Sequence, residues 1–310
     1  MGVRAAEAPE AGALREGDLS ATAVALANGK GGVGKSCLSV SLAVSLAEHG
    51  HKVLLFDADL GLASLDLMLG LSPQTTLRHV VKDGVDMASA VISGPEGIDV
   101  VSGGAGSKEL ADLTAEQVQD LVAKSQSLAS GYKYVIYDTA SGLGEGAMAF
   151  LRAAKRVLVV ATPEPTSILD AYATTKVLFE DNPKADVSLV VNMAEDERQG
   201  AIVFERFKAI VGQFLNREVS LAAIIVWDVS VADATRAREP FILKYPKCKA
   251  SKQMDALVEW LVGEPEAAEA DERISVLNKM RSVFAVFKKS EPVEEEAAPA
   301  PEEEEVRRAA

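Results

Sequence analysis

The 310-residue chain has few cysteines, few aromatic residues and a shortage of positive charge. Its two cysteines, Cys37 and Cys248, lie far apart and in no metal-ligand spacing, which fits a reducing cytosol and excludes a cysteine-ligated cluster within one chain. No uncharged apolar stretch is long enough to cross a bilayer, and residues 1–20 lack the apolar segment of a secretory signal. We therefore expect a cytoplasmic protein that would meet a membrane only at its surface.

The charge balance is strongly acidic, with 46 Asp and Glu against 32 Lys and Arg and a net charge of −14. Residues 291–310 hold eight Glu and two Arg, so the rest of the chain is acidic as well. Non-specific affinity for nucleic acid comes mainly from Lys and Arg that neutralise phosphates. This balance disfavours DNA as a partner.

Apolar residues make up 48% of the chain, and they occur in short runs separated by helix-length segments. Seven such runs lie at residues 22–27, 52–56, 98–101, 134–137, 156–161, 187–191 and 221–226. Their alternation with helical patterns predicts an α/β fold with a mostly parallel sheet of seven or eight strands and helices on both faces.

Composition divides the chain into four segments. Residues 1–20 are predicted to be a flexible arm, and residues 21–264 to be the folded domain, whose last helix covers 251–262. Residues 265–290 are predicted to contain an isolated amphipathic helix. The Glu/Ala/Pro composition of residues 291–310 predicts a disordered acidic tail.

A glycine-rich loop between the first apolar run and the following helical segment matches G-x-x-x-x-G-K-[ST], the phosphate loop of nucleotide-binding proteins. In such a loop, backbone N–H groups face phosphate oxygens, the lysine reaches the β- and γ-phosphates, and the hydroxyl binds Mg²⁺. The predicted nucleotide-binding residues here are Gly29, Lys30, Gly31, Gly32, Val33, Gly34, Lys35, Ser36 and Cys37.

Aspartates follow two of the apolar runs. Asp57 and Asp59 come after the second run and Asp138 after the fourth, at strand ends where open α/β sheets place ligands. An apolar run that ends in an acid is typical of a Walker B motif, which holds Mg²⁺ through water. Asp57 or Asp59 alone could simply solvate a turn, but the two together, one helix beyond a phosphate loop, favour a functional role.

Lys30, directly after the first glycine, makes the loop resemble the deviant Walker A motif of the MinD/ParA family of P-loop ATPases. The resemblance covers residues 22 to about 262. It implies ATP and Mg²⁺ as cofactors, a homodimer that forms around ATP, and a Lys30 that reaches the partner's phosphates. The alternative is that Lys30 is an ordinary surface lysine.

The same resemblance implies roles for the other candidate residues. Lys30, Lys35 and Asp59 would be catalytic, with Asp59 positioning the attacking water. Ser36, Asp57 and Asp138 would form the metal site. Asn192 matches the family's adenine-contacting asparagine, although a turn-capping role would explain it almost as well.

Four residues depart from the family's pattern. Ala140 and Ser141 replace the usual Gly or Pro and the usual Ala after Asp138, Met193 replaces a basic residue, and Trp227 stands where Pro is common. These departures keep open an ATP-binding adaptor with little or no hydrolysis, as the alternative to a slow, dimer- or partner-stimulated ATPase. A reductase of the nitrogenase-reductase type shares the loop but needs paired cluster cysteines, which are missing.

Residues 59–70 resemble the MinD and FlhG branch of the family, and residues 93–97 and 204–207 resemble FlhG, the flagellar-number regulators. This implies control of flagellar number or placement, with the SRP-type GTPase FlhF and flagellar switch (C-ring) proteins as partners; septum-site positioning of the MinD type is the alternative. Residues 10–15 are similar to the motif by which FlhG stimulates FlhF, but an Ala-rich disordered leader explains them equally well.

In residues 273–289, apolar side chains recur at three- and four-residue steps and basic residues lie mostly away from that stripe. Such a helix suits the anionic surface of the inner membrane, which predicts peripheral association. The same stripe would also suit packing on the domain, and the acidic tail could cover the basic side.

Overall fold

Eight strands form one sheet in the structure, a computed structural model that describes residues 21–104 and 106–263. The strands, β1 to β8 in chain order, are Thr22–Ala27, Val53–Ala58, Val91–Ser93, Asp99–Val101, Tyr134–Thr139, Arg156–Ala161, Asp186–Ala194 and Ser220–Val226. Their order across the sheet is β3-β4-β2-β5-β1-β6-β7-β8, and all neighbours are parallel except β3 and β4. The predicted fold is confirmed.

Helices cover both faces of this sheet. In the described ranges, α1 to α11 are Lys35–Glu48, Leu65–Leu69, Leu77–Lys82, Lys108–Ala111, Ala115–Ala129, Glu145–Ala153, Pro165–Asp181, Glu197–Leu215, Val229–Ala237, Phe241–Lys244 and Lys249–Gly263. Strand side chains alternate between the faces. Val24 and Leu26 therefore belong to the core that contains α1 and α11, whereas Ala25 and Ala27 belong to the core that contains α5 to α8.

The strand β3 is the one element of the sheet that the seven apolar runs did not include. It has three residues and pairs antiparallel with β4, with Val91 opposite Val101. The tight turn between them is closed by a hydrogen bond of 2.8 Å from Gly94 N to Ile98 O. Three residues are too few to show an alternating pattern, so sequence periodicity could not reveal this strand.

The strand order places the loop after β1 at the centre of one edge of the sheet. β1 lies between β5 and β6, and β2 lies beyond β5. Because these strands are parallel, their carboxyl ends meet at the same edge, where open α/β sheets bind ligands. The residues that follow β1, β2, β5 and β6 are thereby brought together.

Several predicted segments lie outside the described residues: the arm of residues 1–20 with its FlhF-like motif, the amphipathic helix within 265–290, and the acidic tail of 291–310. The described part ends with α11, which contains the predicted helix 251–262. Within the described ranges, no helix has both the length and the apolar character needed to span a bilayer.

Candidate nucleotide site

The loop of residues 28–34 connects β1 to α1 and leaves the start of α1 open. Gly32 and Gly34 have φ of 86° and 85°, values that favour glycine, and Gly34 is the N-cap residue of α1. No side chain caps the first turn of this helix. Its free N–H groups and the positive end of the helix dipole suit an anion such as a phosphate.

Helix α7 packs directly against the beginning of this loop. A Cβ atom added at Gly29 would lie 2.6 Å from Cβ and 2.7 Å from the carbonyl oxygen of Asp170. Only glycine fits at this approach, so the first glycine of the motif has a packing role. At Gly31, by contrast, the nearest atom to an added Cβ is Ser141 Oγ at 3.9 Å.

Lys35 and Asp138 form a buried ion pair beneath the loop. Lys35 Nζ lies 3.1 Å from Asp138 Oδ1 and also donates to the carbonyl oxygen of Thr139. Ser39, one turn further along α1, donates to the same carboxylate oxygen at 3.0 Å. The two side chains of the pair are 8% and 1% exposed, so their mutual attraction is little screened by water. The motif lysine and the Walker B aspartate are thus in contact.

Asp57 lies opposite Asp138 on the neighbouring strand and is fully buried. Its carboxylate accepts backbone hydrogen bonds from Asp59 at 3.3 Å, Ser64 at 3.0 Å and Leu65 at 3.2 Å, and so holds the turn that leads into α2. Burial, and then the charge of Asp138, raise the pKa of Asp57 from 3.8 to about 8, although the backbone donors oppose the shift.

The carboxylate oxygens of Asp57 and Asp138 fit a hard divalent cation that is held mainly through a nucleotide. Two carboxylates face each other across neighbouring strands, and burial together with the charge of Asp138 raises the pKa of Asp57. In the described ranges no three His, Cys, Asp or Glu side chains are grouped so as to hold a metal alone. Mg²⁺ at nucleotide sites usually takes one or two protein ligands together with phosphates and water. Ser36, in the first turn of α1, would supply the hydroxyl.

Lys30 lies at the rim of the site and not beneath it. Its Nζ is 2.8 Å from Glu164 Oε2 and 3.4 Å from Thr166 Oγ1, both at the start of α7. The hydrogen bond with Glu164 and the charge of that carboxylate raise the pKa of Lys30. Both side chains of the pair remain largely exposed, at 46% and 65%. The two lysines of the loop therefore occupy different environments.

Three other predicted residues have defined contacts. Asp59 Oδ1 accepts a hydrogen bond of 2.9 Å from Leu62 N, so its side chain folds into the turn after β2. Asn192 donates from Nδ2 to the carbonyl oxygen of Val33 at 2.8 Å and thereby supports the loop. The Cys37 thiol is directed toward Thr235 on α9, with Sγ and Oγ1 4.0 Å apart.

A cavity of about 500 Å³ extends from the loop past the ends of β6, β7 and β8. This volume is within the range of ligand sites. It is lined by residues 30–33 and 162–164 and by Met193, Glu195, Gln199 and Trp227.

Sequence reasoning missed Glu164, Glu195 and Gln199, which belong to no motif. A topological signal existed for Glu164. In a parallel sheet with β6 beside β1, the residues after β6 must flank the loop after β1. Glu195 and Gln199 lie beyond β7 and at the start of α8, where a local sequence pattern gives no direction for the side chains.

Comparisons with known proteins agree with this geometry. The family described as "ParA: NUBPL iron-transfer P-loop NTPase" matches residues 20–262. The chain belongs to the ParA family of P-loop NTPases. Members of this family are generally ATPases.

Two relatives of this ParA-family protein have flagellar names. The antiactivator FleN of Pseudomonas aeruginosa is 34% identical over 236 residues, which is 76% of this chain and 84% of FleN. The flagellum site-determining protein YlxH of Helicobacter pylori is 30% identical over 244 residues, 78% of this chain and 82% of YlxH. This ParA-family protein is therefore close to the FleN/FlhG type of flagellar regulator.

The fold is also that of MinD. The structure of MinD from Pyrococcus horikoshii complexed with Mg-ADP has a TM-score of 0.68 and 22% identity, and the match covers 83% of this chain and 98% of MinD. At this identity the similarity is one of fold.

Proposed function

We propose that this protein is an ATP-dependent switch ATPase that forms a homodimer around ATP and regulates flagellar number or placement. The observation that carries the proposal is the separation of the two loop lysines. Lys35 is buried against Asp138, where it can serve the protein's own nucleotide, whereas Lys30 lies at the open rim. The similarity to FleN and YlxH supports the flagellar role.

The contacts support a role for each of the site residues. Lys35 would exchange the carbonyl oxygen of Thr139 for phosphate oxygens, next to the loop N–H groups. Ser36, Asp57 and Asp138 would hold Mg²⁺, which neutralises charge that develops on the phosphates. Asp59 would leave its bond to Leu62 N to orient water.

Lys30 is the residue that would make hydrolysis depend on dimerisation. To reach the phosphates of a second protomer, it must leave Glu164 and Thr166, which now hold it against α7. An exposed ion pair contributes little to stability, so this release costs little. A positive charge supplied by the partner accelerates phosphoryl transfer only in the dimer.

Membrane and partner binding belong to the same proposal. Residues 265–290 would place each protomer on the anionic inner membrane, and two copies in an ATP-bound dimer would bind far better than one. FlhF and flagellar switch (C-ring) proteins are the proposed partners. Deletion of residues 291–310 tests whether the acidic tail restrains liposome binding; unchanged binding would contradict that restraint.

The decisive experiment measures mass in solution and ATP turnover for the wild type, Lys30→Ala and Asp59→Ala, with ATP or ADP and with or without anionic liposomes. The wild type should dimerise and bind liposomes only with ATP. Asp59→Ala should form the dimer but lose turnover, and Lys30→Ala should lose turnover. Lys184→Ala, an exposed lysine away from the loop, is the control and should behave like the wild type.

The proposal fails if turnover is unaffected in both Lys30→Ala and Asp59→Ala, or if the mass of the protein is the same with ATP and ADP.

A nucleotide-binding adaptor is the second candidate function, since Ser141 and Met193 depart from the family's pattern in segments next to the proposed nucleotide site. It predicts ATP binding with no more than one turnover even with liposomes and partner present. Capture of a MinC-like protein in place of FlhF would favour septum-site positioning.

A further inference from the structure

Trp227 presents an exposed side chain on a firmly held backbone. Its indole is 63% exposed. Its backbone N–H donates to Ala194 O at 2.7 Å, and the N–H of Val226 donates to Gln253 Oε1 on α11 at 2.8 Å. The next residue, Asp228, caps α9 through a bond of 2.9 Å from Ser230 N. Tryptophan combines a large apolar face with a polar N–H, a combination that suits contact with a ligand in the cavity that it lines.

Met193 supplies a second apolar group to the same cavity. It has a φ of 57°, in the left-handed region that a side-chain-bearing residue seldom adopts, and it is 40% exposed. The register between β7 and β8 shifts at this point. The side chain of the neighbouring Asn192 points inward and donates to Val33 O, whereas the side chain of Met193 lines the cavity.

Gln199 contributes a side-chain amide to the lining of the cavity. Its Oε1 accepts a hydrogen bond of 2.8 Å from Glu195 N, and its own backbone N–H donates to Asp196 Oδ1 at 2.7 Å. The bond to Glu195 N fixes the oxygen end of the amide, and the NH₂ can donate to a ligand in the cavity. A donor of this kind suits a ring nitrogen of a purine.

The cavity therefore has two chemically different ends. Its loop end consists of residues 30–33, with backbone N–H groups and Lys30, and its other end holds Met193, Gln199 and Trp227. Phosphates require the first kind of surface and a flat aromatic base the second. Any nucleotide base can stack on an aromatic side chain, because every base has a π-face.

We propose that Trp227 positions the nucleotide base. The purine ring stacks on the indole, Met193 provides a further apolar contact, and the NH₂ of Gln199 donates to a ring nitrogen. This assignment rests on the proposed function as an ATP-binding protein. It gives a structural reason for a tryptophan where the family commonly has a proline.

Intrinsic fluorescence tests the contact directly, because the chain has two tryptophans. The second, Trp260, is partly buried, with the Arg156 guanidinium 4.7 Å from its ring centroid. Titration with Mg·ATP should quench emission in the wild type and in Trp260→Phe. The quench should disappear in Trp227→Phe. A quench that persists in Trp227→Phe and is lost in Trp260→Phe would overturn the assignment.

Calorimetry tests whether the contact contributes to affinity, with inorganic tripolyphosphate as a ligand without a base. Trp227→Ala should bind Mg·ATP about tenfold to a hundredfold more weakly than the wild type, because one stacked base contributes on this scale. Trp227→Phe should retain affinity within about threefold, since it keeps an aromatic face. Tripolyphosphate should bind the wild type and Trp227→Ala equally.

Two results would overturn the assignment of Trp227 and leave the proposed function standing. The first is normal Mg·ATP binding by the wild type together with unchanged affinity in Trp227→Ala. The second is an equal loss of affinity for Mg·ATP and tripolyphosphate in Trp227→Ala, which would mean that Trp227 only maintains the fold. A wild type that binds no Mg·ATP would instead overturn the proposed function, and this inference with it.

Discussion

Asp57 is the residue whose charge depends most visibly on its surroundings. Its pKa is raised from 3.8 to about 8, with burial as the main cause. The folded protein therefore binds a proton at this carboxyl that the unfolded chain releases near pH 4. This contribution to stability is fully present below the unfolded pKa and is lost as the pH rises through the folded pKa.

We accordingly expect the free energy of unfolding of the wild type to fall, relative to that of Asp57→Asn, between about pH 4 and pH 8. Urea denaturation at a series of pH values, in EDTA and without nucleotide, measures this difference. Titrating groups distant from Asp57 behave alike in both proteins and cancel. A difference that stays constant across the window would show that Asp57 is ionised throughout.

Gly29 and Gly31 form a matched pair for testing the packing of the loop. Gly29→Ala would bring a Cβ within 2.6 Å of Asp170, so we expect a loss of about 1–3 kcal/mol in the free energy of unfolding. Gly31→Ala meets no atom closer than 3.9 Å and should unfold like the wild type. Equal stability of the two variants in urea would mean that α7 yields freely at Asp170.

For single residues, the sequence predicted the site where the residues of a motif are close together in the chain or end a strand. The glycine spacing, Lys35 and the strand-end position of Asp138 predicted residues that the structure indeed places together. Glu164 could not be assigned to the site from the sequence, because it lies 134 positions from Lys30. The two residues meet only because β6 lies beside β1 in the sheet. The individual roles of the site residues remain predictions until the variants are measured.

Among the elements, β2, β5 and α6 are joined by three aromatic rings. The ring centroid of Phe150 lies 5.5 Å from that of Phe56 and 5.2 Å from that of Tyr137, and all three side chains are buried. The two strands carry Asp57 and Asp138 near their ends, so this cluster holds together the two strands of the proposed metal site.

Phe150→Ala should lower the free energy of unfolding by about 3–5 kcal/mol, because it leaves a cavity between these elements. Phe214→Ala is the control: its ring is 65% exposed and should change stability by less than about 1 kcal/mol. Chemical denaturation measures both. A small effect at Phe150 would indicate that α6 and the strands close the space without cost.

The elements themselves were largely predictable from hydrophobic pattern. All seven apolar runs are strands, because a strand covered on both faces by helices is apolar throughout its length. Strand ends were less visible: β2 and β5 continue through Asp57 and Asp138, since a sheet can bury a carboxylate that the local pattern marks as a turn. The order of the strands depends on contacts distant in sequence. The strand β3 pairs locally with β4, but its three residues are too few to show a pattern.

For the whole molecule, nucleotide and Mg²⁺ should act as stabilising ligands. A ligand that binds the folded state alone adds about 2.7 kcal/mol at a hundred times its dissociation constant. We expect Mg·ADP to raise the melting temperature by several degrees, EDTA to remove much of that gain, and Asp138→Asn to show little gain. An equal shift in Asp138→Asn and the wild type would remove Asp138 from the metal site.

The reversed strand β3 has a consequence for how copies of this protein can meet. The border of a sheet is a template on which another chain can add a strand, and a very short border strand offers little of that template. With three residues, β3 gives a second copy almost nothing to extend. Even when the protein is concentrated, filaments should not grow strand by strand along that border.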